Sequence, residues 1–495
     1  KPHSEIMDSK TKLTSCPIMP TYGAPSVMFV RGKGTELWDN SGERYLDFVG
    51  GLAVQSLGHA NEEIAEVLAS QASKLTQVSN YWATEHAHHV AIALDKAITG
   101  RLETPSKKAY APAGQVFFCN SGAEANELAF KMARKTAPKG VYGIITTFDS
   151  FHGRTLAALA ACGQPHKHEP FAPMPEGFSH VERGNLSALQ SSTGETTAAI
   201  HLEPIQGEGG VWPSSKEFIS GAEKHARDNS LLFMVDEVQS GLCRTGEWFA
   251  YQHYNVEPDV ICIAKALGNG FPIGAVWAKN EIAANFQAGD HGSTYGGNPL
   301  GTAVARKVLE IMDRDNYLEK ARRIEEVLTQ SLLEMPNVLS VRGKGAMLAA
   351  ELDAEISKEV AIKATENGLL VNPITPTALR FTPPLTTTTP QIEEAMTILK
   401  KLNGKSHFLI SSVCISKNGS MIWNYTDKAE LTMKNFTEED LKVYLSKISD
   451  ETLYAYNVYQ IEGEGRSLFA SIKGDEDTIM GLPIKKIQEY LTTIQ

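Results

Sequence analysis

Between Gln115 and about Ala278 one pattern repeats: a short continuous apolar run, a Gly-rich or polar turn, then an amphipathic stretch. The apolar runs are Gln115–Cys119, Gly143–Thr147, Ala198–Leu202, Leu231–Val235, Val260–Ala264 and Ile273–Ala278. Continuous runs rich in β-formers predict strands buried on both faces. Strands of that kind alternating with helices predict an α/β domain on a mostly parallel sheet. After Pro299 the pattern changes. Helical periodicity from Leu300 to about Glu334 leads into Val338–Leu352 and Gly368–Ile374, which predicts a smaller α+β domain. The N-terminal segment to about Val54 has Gly-rich turns and short strands, and is expected to pack with it. At Asn403-Gly404 a strand-rich stretch opens. Phe408–Ile415 and Ser467–Ile472 read as strands. Glu438–Ile448 reads as a helix with Leu441, Tyr444, Leu445 and Ile448 on one face. The expected division is 1–54 and 300–403 for the small domain, 55–299 for the large domain, and 404–495 for a terminal domain.

Composition narrows the function classes. The 495 residues are 42% hydrophobic and 21% charged, an ordinary globular balance that can bury a large core without disulfide or metal staples. The net charge of -11 argues against a nucleic-acid binder, which needs a basic face. It leaves room for a small anion held by a few placed donors. No apolar run reaches the length of a membrane span. Lys1–Lys12 is polar and lacks the apolar core of a signal peptide; Met7 reads as a start, with Lys1–Ile6 an extension. Six cysteines (Cys16, Cys119, Cys162, Cys243, Cys262, Cys414) form no CxxC pair. They read as reduced thiols of a cytoplasmic protein, with no metal site expected.

Three places carry chemistry. In Phe117–Asn126 an apolar strand runs through Asn120-Ser121 into a helix on which Ala125, Leu128, Ala129 and Met132 recur at helical spacing. Ser121 and Glu124 fit a capping box. The small residues Gly122 and Ala123 leave N–H groups open at the helix start, a ready phosphate site. Asp236 ends the run Leu231–Val235, where open α/β sheets place their ligands, and a half-desolvated carboxylate there needs a cationic or donor partner. Lys265 follows Val260–Ala264; losing hydration, its amine moves toward nucleophilic pKa values. Each also has a plain structural reading: a capped helix, an N-cap aspartate, and a lysine reaching out to solvent. Together, a phosphate cradle, a strand-end Asp and a strand-end Lys are what pyridoxal phosphate (PLP) needs.

The chain resembles the fold-type-I, class III PLP-dependent aminotransferases from about Met19 to Leu402. The resemblance rests on Leu46-Asp47-Phe48, Ser56-Leu57-Gly58-His59, Asn120–Asn126, Phe151-His152-Gly153-Arg154-Thr155, Glu203–Gly210, Asp236–Gln239, Arg244-Thr245-Gly246, His291–Pro299 and Arg380–Leu385. It implies a large domain with a mostly parallel seven-stranded sheet, a small α+β domain, and a homodimer with shared active sites. Lys265 would be the Schiff-base lysine, Asp236 the partner of the pyridine nitrogen, and Ser121, Gly122 and Ala123 the phosphate cradle. Phe151 would stack on the ring, His152 lie beside the cofactor, Gln239 lie near the ring hydroxyl, and Thr294 reach the cofactor phosphate of the partner subunit. Arg154 and Arg380 would clamp carboxylates, as planar guanidinium forks do. Glu208 would neutralise Arg380 when the substrate presents an amine. Asn80 and Tyr81, with Val54 and Gln55, would meet the rest of the substrate.

Within the family the resemblance is greatest to the acetylornithine-using branch. That implies transfer of an amino group from N-acetylornithine to 2-oxoglutarate, a step of arginine biosynthesis, with ping-pong kinetics. Ornithine, succinylornithine and 4-aminobutyrate remain alternative donors. The stretch after Asn403 resembles the C-terminal half of Maf-type nucleotide pyrophosphatases, through Gly404–His407, Ile410–Cys414, Tyr459–Gly465 and Gly481-Leu482-Pro483. The catalytic Ser-Arg-Arg loop of that fold is absent, and Asn457-Val458 stands where Gly-Ala is usual. A remnant α+β half domain is therefore expected, and a nucleoside triphosphate pyrophosphatase is the less favoured reading.

Overall fold

Strands without a polar face need cover on both sides, and the central sheet follows that rule. The structure, a computed structural model, describes residues 18–19, 21–22, 25–101, 110–402, 407–417, 420–433, 469–473 and 484–493. The predicted helix Glu438–Ile448 and the motifs Tyr459–Gly465 and Gly481-Leu482-Pro483 lie outside these residues, as do Lys1–Lys12 and Cys16. The contacts divide the chain into two units, Lys1–Ile398 and Leu399–Gln495.

In the first unit, β1 (Phe29–Lys33), β2 (Glu36–Asp39) and β3 (Arg44–Asp47) form an antiparallel meander. The large sheet comprises β4 (Gly114–Cys119), β5 (Gly143–Thr147), β6 (Phe178–Val181), β7 (Thr197–Leu202), β10 (Leu232–Asp236), β11 (Val260–Ile263) and β12 (Gly274–Lys279). A two-stranded ribbon, β8 (Ile205–Gln206) with β9 (Trp212–Pro213), sits between β7 and β10 in the chain. The spatial order is β4-β12-β11-β10-β7-β5-β6. Only β12 runs against its neighbours; the other six strands are parallel. The mostly parallel, seven-stranded sheet expected from the sequence is thus present. The six predicted runs all fall on its strands, and β6 is the one it lacked.

Helix Gly122–Thr136 shows how the sheet is covered. Its predicted apolar face, Ala125, Leu128, Ala129 and Met132, packs with Val260, Cys262, Val276 and Ala278 of β11 and β12. Past the sheet, β13 (Val338–Lys344), β14 (Met347–Leu352), β16 (Asn372–Thr375) and β17 (Ala378–Phe381) form a second antiparallel sheet, ordered β13-β14-β17-β16. The intervening β15 (Leu369–Leu370) instead pairs in parallel with β3, joining the N-terminal meander to the later segment.

One expected helix is two. The stretch from Leu300 to Glu334 breaks between Pro299–Arg314 and Tyr317–Leu333. Asn316 adopts a left-handed φ of 49° and accepts a hydrogen bond from the Glu319 N–H, capping the second helix. Asn tolerates that backbone region, which no helix interior can accommodate.

In the second unit, β18 (His407–Lys417), β19 (Ser420–Met433) and β20 (Phe469–Lys473) form an antiparallel sheet in that order, and Ile484–Thr493 is a helix. Among the described residues, no helix is long and apolar enough to cross a membrane.

Candidate active site

The parallel strands end on one edge of the large sheet, where successive loops diverge and leave a crevice. A cavity of about 410 Å³ opens there. Each wall follows a strand end: Asn120–Ala123 after β4, Phe151–Arg154 after β5, Glu203 after β7, Asp236 as the last residue of β10, and Lys265 after β11. Because β12 runs the other way, its entry segment Gly270–Ile273 reaches the same edge.

At one end lies the start of helix Gly122–Thr136. Ser121 caps it by accepting the Glu124 N–H at 3.2 Å. The expected capping box is altered: Glu124 accepts the N–H of Asn120, at 2.6 Å, instead of that of Ser121. The first N–H groups of a helix have no intrahelical acceptor. Those of Gly122 and Ala123 are therefore available at the cavity wall, with the positive end of the helix dipole behind them. A Cβ on Gly122 would come within 2.7 Å of Val238 Cγ1, so the close approach of this turn to the Asp236 loop requires glycine. Gly153 does the same on the other flank. Its φ is +140°, and a Cβ there would press on Ala123 Cβ at 2.7 Å.

Asp236 is buried at the cavity floor. Its Oδ2 accepts from Asn126 Nδ2 and His152 Nδ1, both at 2.8 Å, and its Oδ1 accepts from the Val238 N–H at 3.0 Å. Burial opposes the charge, but the His152 hydrogen bond and the other donors outweigh it and hold the carboxyl below its usual range. The N-cap reading fails, since no helix follows; Asp236 closes a turn onto Val238 instead. Ligand atoms of His152, His201 and Asp236 lie within 4.8 Å of one another, as in a metal site. Hydrogen bonds already explain the cluster: His152 Nδ1 donates to Asp236, and His201 Nε2 to Asn126 Oδ1 at 2.7 Å.

Lys265 lies in the cavity wall with a left-handed φ of 44°. Burial lowers its ammonium to about 8, with Glu208 pulling the other way. It lines the cavity instead of reaching out to solvent. Below a pKa of about 8, each pH unit removes about tenfold of the neutral amine. An aldehyde probe should therefore react with Lys265 faster as pH rises and level off above about 8, as stopped-flow absorbance would show.

Arg380 on β17 is buried, and its Nη1 donates to Glu208 Oε1 at 2.7 Å and to Gln239 Oε1 at 3.2 Å. Its Nη2 donates to Asn372 Oδ1, 2.7 Å away on the neighbouring strand β16. Burial alone would raise the Glu208 carboxyl; Arg380 more than reverses this and holds it below its ordinary value. Arg154 is exposed at the rim, its guanidinium carbon 5.5 Å from the centroid of the half-buried Phe151 ring.

Ser121, Gly122, Ala123, Phe151, His152, Arg154, Glu208, Asp236, Gln239 and Lys265 thus line one cavity, and Arg380 joins it through Glu208 and Gln239. Val54 lines it too, whereas Gln55, Asn80 and Tyr81 do not, nor does Thr294, expected to serve the partner subunit's cofactor. Asn80 donates to the carbonyls of Ser293 and Gly296, Tyr81 is 89% exposed, and Thr294 lies in the loop that Asn80 and Gln77 bind. Sequence reasoning also passed over Asn126, His201, Glu203 and Asn372 as site residues.

Residues 19–402 match the family model "Aminotransferase class-III", and residues 388–494 match the model "Maf-like protein". The chain belongs to the class III aminotransferases. Acetylornithine aminotransferase of Caldanaerobacter subterraneus subsp. tengcongensis is 42% identical over 399 residues, spanning 79% of this chain and 98% of that protein. The Bacillus subtilis protein of the same name is 40% identical over 388 residues, spanning 78% and 97%. Among solved structures, ornithine aminotransferase of Toxoplasma gondii ME49 has a TM-score of 0.72 at 30% identity, covering 79% of this chain and 92% of that one. Acetylornithine aminotransferase of Elizabethkingia anophelis has a TM-score of 0.67 at 31% identity, covering 77% and 95%. Class III aminotransferases are PLP-dependent enzymes, and the cavity fits the cofactor: open N–H groups at a helix start, an ionised buried carboxylate and a low-pKa lysine stand around one space.

Proposed function

We propose that this aminotransferase moves the δ-amino group of N-acetylornithine to 2-oxoglutarate, giving N-acetylglutamate 5-semialdehyde and glutamate. The names of the relatives support the donor. The observation that carries the reading is the Arg380–Glu208 pair. N-acetylornithine has no carboxylate beside its reacting amine, whereas glutamate does. A site serving both must hide its inner guanidinium from one substrate and offer it to the other. Glu208 can do this, because its side chain is 28% exposed at the cavity while Arg380 is fixed from behind by Asn372. Arg154 at the rim would receive the far carboxylate of either substrate through its planar fork.

Bound PLP supplies a carbonyl that takes up the amino group and a ring that accepts electrons. The N–H groups of Ser121, Gly122 and Ala123 would hold its phosphate. Asp236 would keep the proton on the ring nitrogen. Lys265 Nζ would take the proton from the amine-bearing carbon and pass it, on the same face, to the carbon that takes up the amino group. His152 holds Asp236, and Phe151 would cover the ring.

The homodimer belongs to the same proposal, with Thr294 of each copy serving the other's cavity. Tyr81, Trp82 and Tyr295 are 89%, 64% and 62% exposed around the joined 77–82 and 293–296 loops, an apolar patch suited to a partner. Among the described residues, the buried free thiols Cys119, Cys162, Cys243 and Cys262 suit a reducing compartment such as the cytoplasm.

Initial rates with N-acetylornithine, succinylornithine, ornithine and 4-aminobutyrate test the donor. N-acetylornithine should show the highest kcat/KM; preference for ornithine or 4-aminobutyrate would overturn the reading. Glu208→Gln should leave the glutamate half-reaction near wild type and slow the acetylornithine half-reaction about 10- to 100-fold, the worth of one charge-assisted hydrogen bond. Single-turnover spectroscopy separates the two. A chain ending at Gly404 should keep its turnover and dimeric mass, since every residue assigned above precedes Asn403. The full chain should release no pyrophosphate from nucleoside triphosphates.

A further inference from the structure

Asn126 lies on the second turn of helix Gly122–Thr136, in the lining of the cavity and almost wholly buried. Its Nδ2 reaches three acceptors: Gly122 O at 3.1 Å, His152 O at 2.9 Å and Asp236 Oδ2 at 2.8 Å. Its Oδ1 faces His201 Nε2 at 2.7 Å. These contacts fix the amide orientation. A carboxylate only accepts, so the NH₂ group must face Asp236 and the amide oxygen must face His201. An amide oxygen also only accepts, so His201 must carry its proton on Nε2. Its Nδ1 is then bare, and that atom is buried without a partner among the described residues. Burial drives the imidazole's pKa down to about 3, so the ring is neutral and the tautomer is fixed.

We propose that Asn126 and His201 are positioning residues, forming a directed hydrogen-bond chain from β7 through helix Gly122–Thr136 to the Asp236 carboxylate. The chain has one direction: His201 donates to Asn126, which donates to Asp236. With His152 on the other side, Asp236 Oδ2 is held by two donors, and the carboxylate cannot rotate away from a cation in the cavity. Asn126 also ties the first-turn carbonyl of Gly122 to Asp236. The two ends of the cofactor site, phosphate cradle and ring-nitrogen partner, are thereby kept at one spacing by one side chain. His201 is the sole protein support for the amide oxygen that sets this orientation, among the described residues.

This inference rests on the reading of Asp236 as the ring-nitrogen partner, and the test separates the two. His201→Gln and His201→Asn are both amides of similar polarity, but only Gln extends an N–H to the place of Nε2. Binding of PLP to each cofactor-free protein is followed by quenching of tryptophan fluorescence, and the visible band of the loaded protein is titrated with pH. His201→Gln should bind PLP within about twofold of wild type, while His201→Asn should weaken it about tenfold or more, as loss of a supporting partner of a charged group does. The visible band of His201→Asn should also titrate at a different pH from wild type. Equal affinities and titrations for Gln, Asn and wild type would overturn the proposal. In the wild-type protein, histidine-selective ¹⁵N NMR should show one neutral Nε2–H ring that stays unchanged from pH 5 to 8; its absence overturns the proposal without any variant. If Asp236→Asn itself binds and turns over like wild type, the parent reading fails as well. If Asp236→Asn is impaired and His201→Asn is not, only the present proposal fails.

Discussion

Lys265→Ala should reduce turnover by at least about 10⁴-fold, the upper range for removing a general base, while leaving the fold intact. Lys265 lines the same cavity as the buried carboxylate and has an amine lowered to about 8, so at neutral pH a useful fraction is uncharged. Among the described cavity-lining residues no other lysine is present. Lys167 stands near the Phe151 ring instead, 5.7 Å from its centroid. Borohydride treatment of the loaded wild-type protein should fix the cofactor to the peptide containing Lys265. Label recovered on Lys167, or turnover retained in Lys265→Ala, would defeat the assignment.

Asp236→Asn is expected to lower kcat by about a hundredfold or more, a barrier increase of roughly 2.7 kcal/mol. The amide keeps the shape, and its one oxygen can still accept from His152 and Asn126, while its NH₂, turned toward Val238, gives up that hydrogen bond. What it loses is the negative charge that would keep a proton on the ring nitrogen. The phosphate end, built from Ser121–Ala123, is untouched, so cofactor should remain bound. Steady-state rates beside the visible spectrum decide the matter: a loaded variant with wild-type kcat would remove Asp236 from the mechanism.

The sequence revealed most of this site because its main groups sit where apolar runs stop. Asp236 and Lys265 are polar residues at the ends of strands with no polar face, and Ser121-Gly122-Ala123 sits where strand periodicity gives way to helical. β6 escaped notice because Phe178–Val181 is an edge strand, only partly buried and half polar, with no continuous apolar run. The break at Asn316 escaped notice because helix-forming residues continue on both sides of it, although Asp315-Asn316 is a visible turn signal. Asn126, His201 and Asn372 owe their importance to partners brought in by the fold. His201 alone left a trace, a histidine inside an otherwise apolar run. Nothing in the spacing of Asn80 and Tyr81 indicates that they stand outside the cavity of their own chain.

The left-handed backbone at Lys265 has a consequence for how this chain changes over generations. A non-glycine residue in that region costs about 1–2 kcal/mol, and desolvating an amine adds to the cost. Lys265 is therefore a burden to the fold, which the proposed chemistry would offset. Most replacements would relieve the buried charge, and glycine would relieve the backbone too. Were selection for transamination relaxed, this lysine would be among the first positions to drift, well before the buried strands around it.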